Sequence, residues 1–450
     1  MASLTSKSKI SNLITVIIGA LLMGMLWRVR GTHGWGSSWG LLNAGIVFVL
    51  FLTVALGERK KMNLSWTALS ALSFMLTVPA WGTLLKQISG VLDFDGNVYN
   101  ISPWSGVFMM VCLGFGLASI FGIMLGRAYS DKQWKIHHIL ILIGVFYAVN
   151  YLAKATVSHL IIQLVQPEAI SAFAEDMKAV GLGEDVYKTY MQHFDNDAWA
   201  KKFTMDILGR QSVAGRNYFQ EIMTISSAIS AIAVLITTRF VIKDKIAALT
   251  GTVTCVAFAV AITLADLFFW YEEKGYAIPD TYAAWSLWEY FTGFIAGGII
   301  TAFLVSLKKK DNIPEVTFDK LPDKVKNICT FLLGFIGMIG ISIVRPVLER
   351  FDHSDMQIVF TVVSVVVALV IAIAVSKKYG CALQRISYGK FCAVALPCFT
   401  AYIYIAYMFI GCEEYQNYTS IGMIHNILVT VSAVLIILWS ALQIKKLKTK

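Results

Sequence analysis

Long apolar runs, broken at short intervals by small clusters of lysine and arginine, constrain this chain more than any motif in it. A helix needs about 20 predominantly apolar residues to cross a bilayer. On that rule about twelve spans are expected, centred on residues 10–27, 41–56, 64–86, 105–126, 136–165, 218–240, 246–271, 285–307, 327–346, 355–376, 388–411 and 420–444. With 57% hydrophobic and only 15% charged side chains over 450 residues, the composition lies outside the range of soluble domains. The expected fold class is therefore all-α, a polytopic integral membrane protein.

The formal charge of +10 is not the footprint of a nucleic-acid binder. The basic residues fall between apolar runs and not along one amphipathic face, so the lipid bilayer is the expected partner and nucleic acid is not. The clusters are Glu58 to Lys61, Arg127 to Lys135, Arg239 to Lys245, Lys308 to Lys310, Lys377 to Arg385 and the tail from Lys445. The positive-inside rule puts all of them on the cytoplasmic side. Twelve spans with both termini cytoplasmic satisfy every one, which predicts a multi-pass protein of the cytoplasmic (inner) membrane. Lys7 and Lys9 ahead of Leu13 to Trp27 superficially match a signal peptide, but no small-residue cleavage site follows, so the run is taken as the first span.

The opposite connections are neutral or acidic, as in Gln87 to Trp104, Glu272 with Glu273, and Cys412 to Thr419. Two exceptions are cationic: Arg28 and Arg30 after the first span, and the segment from Arg345 to His353 after the ninth. Three regions follow. Residues 1–165 hold five spans and the glycine- and arginine-rich outer loop 28–40. Residues 166–217 form an extracytoplasmic cap, read as two amphipathic helices from Pro167 at a helix start, a break at Gly181 and Gly183, and helical spacing of Val186, Tyr190, Phe194, Trp199 and Phe203. Residues 218–450 hold the other seven spans. A shift of about 315 residues lays Gly19, Met23, Val29 and Arg30 on Gly334, Met338, Val344 and Arg345, too few matches to define a repeat.

The stretch WRVRGTHGWGSSWG, Trp27 to Gly40, combines two arginines, a histidine, four glycines and three tryptophans between apolar runs. Arginine offers a planar fork for carboxylate, sulfate or phosphate, and tryptophan a flat surface for a ring or a headgroup. Trp35 and Trp39 also suit an interfacial aromatic belt. Ionisable side chains within spans are costly and default to functional candidates. Lys86, Lys154, His159, Asp266, Glu289, Arg345 and His425 all fall in the outer half of their expected spans. Arg28, Arg30, His33, Trp35, Trp39, Lys154, Arg345 and His425 are the candidate ligand-binding residues, lining an outward-opening cavity. Lys86 is read as an interfacial anchor. Asp266 and Glu289 are the candidate proton carriers, able to pair with Arg30 or Arg345. Glu289, Gly293 and Gly297 recur every four residues and form a small-residue ridge for close helix approach; Ala118, Gly122 and Gly126 repeat the device, as does the series Gly334, Gly337 and Gly340.

Seven cysteines form no CxxC pair, and no HExxH, GxSxG or Walker A sequence occurs, so no metal site and no cofactor is expected. The preferred expectation is a proton- or ion-coupled carrier of a small, possibly sugar-like organic anion clamped by Arg30 and Arg345. An integral-membrane transferase or hydrolase acting on lipid-linked or surface glycans, with His33 and Glu289 as acid and base, is the alternative. A receptor or scaffold using residues 166–217 is a third. Oligomeric state is left open.

Overall fold

The computed structural model describes residues 2–30, 38–57, 70–71, 73–74, 85–94, 97–179, 181, 183–192, 213–307, 388–409 and 422–448. Among the described residues the chain is almost wholly helical, and six helices are long and apolar enough to cross a membrane: Ile10–Arg30, His137–Ala155, Gln220–Val241, Lys245–Glu273, Ala284–Ser306 and Ile424–Lys446. A seventh candidate is a pair, Pro103–Leu117 and Ser119–Ala128, bent by 42°. Expected spans at 327–346 and 355–376, with Arg345, lie outside the described residues, as does most of 64–86.

The helices are α1 (Ala2–Arg30), α2 (Ser38–Leu52), α3 (Pro103–Leu117), α4 (Ser119–Ala128), α5 (Ile136–Ala155), α6 (Val157–Val165), α7 (Pro167–Ala179), α8 (Val186–Gln192), α9 (Val213–Ile236), α10 (Lys245–Ala265), α11 (Leu267–Glu273), α12 (Ala284–Ser306), α13 (Tyr388–Phe409) and α14 (Ile424–Lys448). The expected all-α class holds, with one small addition. The loop after Gln87 contains a short antiparallel hairpin, β1 (Val91–Phe94) with β2 (Asn97–Asn100), in the register Val91 to Asn100. Val91, Phe94, Val98 and Tyr99 are strand-favouring residues, and a 3-10 turn at Gln87–Ser89 leads into it.

Helix α1 is also longer than its apolar run implies. It continues through Arg28 and Arg30, which places both arginines in the last helical turn and not in the expected outer loop.

Small residues set the closest packing. Helices α1 and α12 run antiparallel: a Cβ on Gly293 would lie 2.2 Å from the Met23 carbonyl oxygen and 2.5 Å from Trp27 Cβ, and one on Gly297 would lie 2.3 Å from Met23 Cβ. The four-residue ridge expected from the sequence is the contact surface. Gly122 and Gly126 of α4 play the same part against α10, where a Cβ would meet Thr254 and Thr250 at 2.6 Å. With no side chain in the way, the backbones approach and dispersion contacts accumulate along the groove.

Two expected basic loops meet at one end of this bundle. Asp244 caps α10 through the Ala247 N–H at 2.9 Å and accepts the Trp134 indole N–H at 2.8 Å, which ties the 127–135 loop to the 239–245 loop. At α7, Pro167 is the first helical residue, and Gly181 and Gly183 adopt φ of 78° and 85°, a left-handed backbone suited to glycine. The α8 residues Val186 and Tyr190 are buried. The later part of the expected cap, residues 193–212, lies outside the described residues.

Candidate functional site

The end of α1 and the start of α12 bring three of the expected residues together. Arg28, Arg30 and Glu289 are only 2%, 9% and 3% exposed. Arg28 Nη1 donates to Glu289 Oε2 at 2.5 Å. The antiparallel contact explains the pairing: the glycines of the ridge draw α12 against Met23 and Trp27, so Glu289, one turn before Gly293, reaches the last turn of α1.

Aromatic rings complete the surroundings. The Arg28 guanidinium carbon lies 5.5 Å from the centre of the Tyr407 ring, and the Arg30 guanidinium carbon lies 4.0 Å from that of Trp27, both within cation–π range. The Tyr407 hydroxyl donates to Asn426 Oδ1 at 2.5 Å, which joins α13 to α14 beside the arginine. Fully buried His425 immediately precedes Asn426. Nearly two turns further along α14, the Ser432 hydroxyl meets the Tyr290 hydroxyl of α12 at 2.8 Å. Nε of Arg28, Nε of Arg30 and the indole N–H groups of Trp27 and Trp288 have no acceptor among the described residues.

Other expected residues go elsewhere. Asp266 sits at the C-terminal end of α10, where its Oδ1 accepts the Lys86 backbone N–H at 3.2 Å, so it is held by a main-chain amide and not by Arg30. Lys86 is more than an interfacial anchor, because its ammonium also pairs with Glu273 at 2.7 Å. Lys154 lies half-buried in the last turn of α5, on the face whose Asn150 donates to Ser226 of α9 at 3.3 Å. His159 hydrogen-bonds with Tyr218 and, at 3.0 Å, with Gln163. His33, Trp35 and Arg345 lie outside the described residues, and Trp39 falls in the first turn of α2.

The sequence reading passed over a second buried polar group, Gln87, Gln166 and Glu221, all fully buried. The rule that selected Glu289 applies equally to Glu221, since it too is a carboxyl in an apolar run. Its partners arrive from remote segments and left no local spacing to read. Among the described residues no group of three or more His, Cys, Asp and Glu side chains is placed to hold a metal. No protein-family model, no curated protein and no solved structure matches this chain.

Proposed function

We propose that the chain is a membrane carrier for a small organic anion, with the arginine end of α1 and the carboxyl end of α12 as its binding locus. A count of charges supports the reading. Arg28 is neutralised by Glu289, whereas Arg30, nine-tenths buried, forms no ion pair of its own among the described residues. An uncompensated buried charge costs several kcal/mol. A locus that keeps one, and adds four N–H donors lacking acceptors, suits a partner that is negatively charged and rich in acceptors. Carboxylate, phosphate and sulfate have that chemistry, and the guanidinium fork matches their geometry.

Coupling follows from the same three residues. An anion at Arg30 competes with Glu289 for Arg28, and a carboxylate displaced from its cation takes up a proton if it is to stay buried. Glu289 is then the coupling carboxyl, while Asp266, held by a main-chain amide, serves the architecture. On the positive-inside reading the linked 127–135 and 239–245 loops face the cytoplasm, which puts this locus near the opposite face.

The test is uptake into liposomes containing the purified chain, driven by an inward proton gradient and measured over a panel of labelled organic anions. Gradient-dependent accumulation is expected from the natural chain. Arg30→Gln should abolish it, and Glu289→Gln should retain anion exchange but lose dependence on the gradient. Accumulation unchanged by Arg30→Gln contradicts the proposal. Turnover of a glycan substrate without accumulation would favour the transferase or hydrolase reading.

A further inference from the structure

Gln87, Gln166 and Glu221 form a closed triangle of side chains drawn from three places in the chain. Gln87 lies in the 3-10 turn, Gln166 joins α6 to α7, and Glu221 is near the start of α9. One end of the Gln87 amide lies 3.1 Å from Glu221 Oε1. Its other end lies 3.0 Å from one end of the Gln166 amide. The remaining end of Gln166 contacts both carboxyl oxygens of Glu221, with Oε2 at 3.2 Å.

Each contact needs one donor and one acceptor. A side-chain amide has one NH2 end and one carbonyl end, so each glutamine supplies one of each, whichever way round the amide is assigned. A carboxylate supplies acceptors only. If Glu221 is ionised, both glutamines must turn their NH2 ends towards it, and their carbonyl oxygens then face each other at 3.0 Å. Rotating either amide moves the repulsive contact to another side of the triangle without removing it. A single proton on Glu221 closes the circuit. Glu221 O–H donates to Gln166 Oε1, Gln166 Nε2–H donates to Gln87 Oε1, and Gln87 Nε2–H donates to Glu221 Oε1.

We propose that Glu221 is a proton-binding site, occupied in this structure, and that the ring with Gln87 and Gln166 is what holds the proton. The site shares no residue with the Arg28–Glu289 pair, and the argument for it is independent of the anion reading. Among the described residues Glu221 forms no ion pair. Titratable groups on the elements packed round it include Arg216 and Tyr218 on its own helix, Cys112 on α3, His137, His138, Tyr147, Tyr151 and Lys154 on α5, His159 on α6, Glu168, Glu175, Asp176 and Lys178 on α7, Asp93 on β1, Lys86 beside Gln87, and Asp266 under the Lys86 N–H. Tyr218 is bonded to His159, and the Lys86 ammonium is held by Glu273.

Proton release has a mechanical consequence. One side of the triangle becomes repulsive, so Gln87 or Gln166 must swing out. Gln87 sits in a turn flanked by left-handed Lys86, with φ of 77°, and Gly90, with φ of 84°. That turn lies hard against α3, where a Cβ on Gly106 would come within 2.2 Å of the Gln87 carbonyl oxygen. The bound proton therefore clamps the turn to α9, and its loss unclamps it.

The deciding experiment is infrared spectroscopy of the full chain in phosphatidylcholine vesicles at neutral pH, with and without 13C-labelled glutamate. A carboxylic-acid C=O band that shifts with the label is expected in the natural chain and in Glu289→Gln, and should be absent in Glu221→Gln. That last variant supplies one donor and one acceptor, so it should keep the ring closed and the Tm unchanged, whereas Glu221→Leu should lower the Tm. Absence of a label-sensitive acid band, or its persistence in Glu221→Gln, overturns the proposal. Should Glu221→Gln fail to fold, the labelled natural chain and Glu289→Gln decide alone: no label-sensitive band in either overturns it, and its presence in both upholds it.

Discussion

Arg28 Nη1 and Glu289 Oε2 meet at 2.5 Å across 261 residues of sequence, and the pair pins the last turn of α1 to the first turns of α12. Removing one member leaves the other charge buried without its partner, at a cost of about 3–5 kcal/mol. Arg28→Met and Glu289→Met should each lower the midpoint of thermal unfolding strongly. The double variant should lose much less than the sum of the two, because two apolar groups replace two matched charges. Additive losses in a double-mutant cycle would show that the pair is not coupled.

Helix approach at Gly293 gives a second expectation. Its missing Cβ would fall 2.2 Å from the Met23 carbonyl oxygen, which is backbone and cannot rotate aside, whereas nothing lies within 4 Å of a Cβ on Gly144. Gly293→Ala should therefore destabilise by about 1–3 kcal/mol through overpacking. Gly144→Ala, in the middle of α5, should be neutral or stabilising by up to about 1 kcal/mol through helix propensity. Thermal unfolding of the two variants side by side reads the difference, and equal losses would contradict the packing described.

Outside the spans, Tyr282 ties the connection before α12 to the start of α11 by donating its hydroxyl to the Phe268 carbonyl at 2.7 Å. Burial first, then the neighbouring Glu272 carboxylate and Tyr271, push its phenol up to about 12. A phenol raised in the folded state contributes stability that is complete below its ordinary value near 10 and is lost as pH rises through the folded value. Tyr282→Phe should thus cost about 0.5–1.5 kcal/mol at neutral pH. In the natural chain the alkaline loss of stability should include a component in that window which the variant lacks. Identical alkaline profiles would remove Tyr282 from the account.

The sequence showed the contact surfaces better than the partners. The repeat of Glu289, Gly293 and Gly297 is a local spacing, and the structure uses it as read. The helical continuation through Arg28 and Arg30 is hidden because hydropathy falls where the arginines begin; Arg28 stays buried there beside a carboxylate delivered by a distant segment. Asp266 could be recognised as unusual, but its main-chain partner at Lys86 depends on a turn that no spacing announces. Glu221 had the same standing as Glu289 in the sequence and was missed, since no small-residue ridge drew attention to it.

The central claim is that the excess positive charge at Arg30 is a binding site for an anion, and ligand-linked stability tests it most directly. A ligand that binds only the folded chain raises Tm in proportion to its saturation. Purified protein would be titrated with phosphate, sulfate and a series of mono- and dicarboxylates, alongside Arg30→Gln and, as a control remote from the locus, Arg239→Gln. A saturable rise in Tm with at least one of these anions, retained in Arg239→Gln and absent in Arg30→Gln, is the predicted result. An equal response in all three proteins, or none in the natural chain, would contradict it.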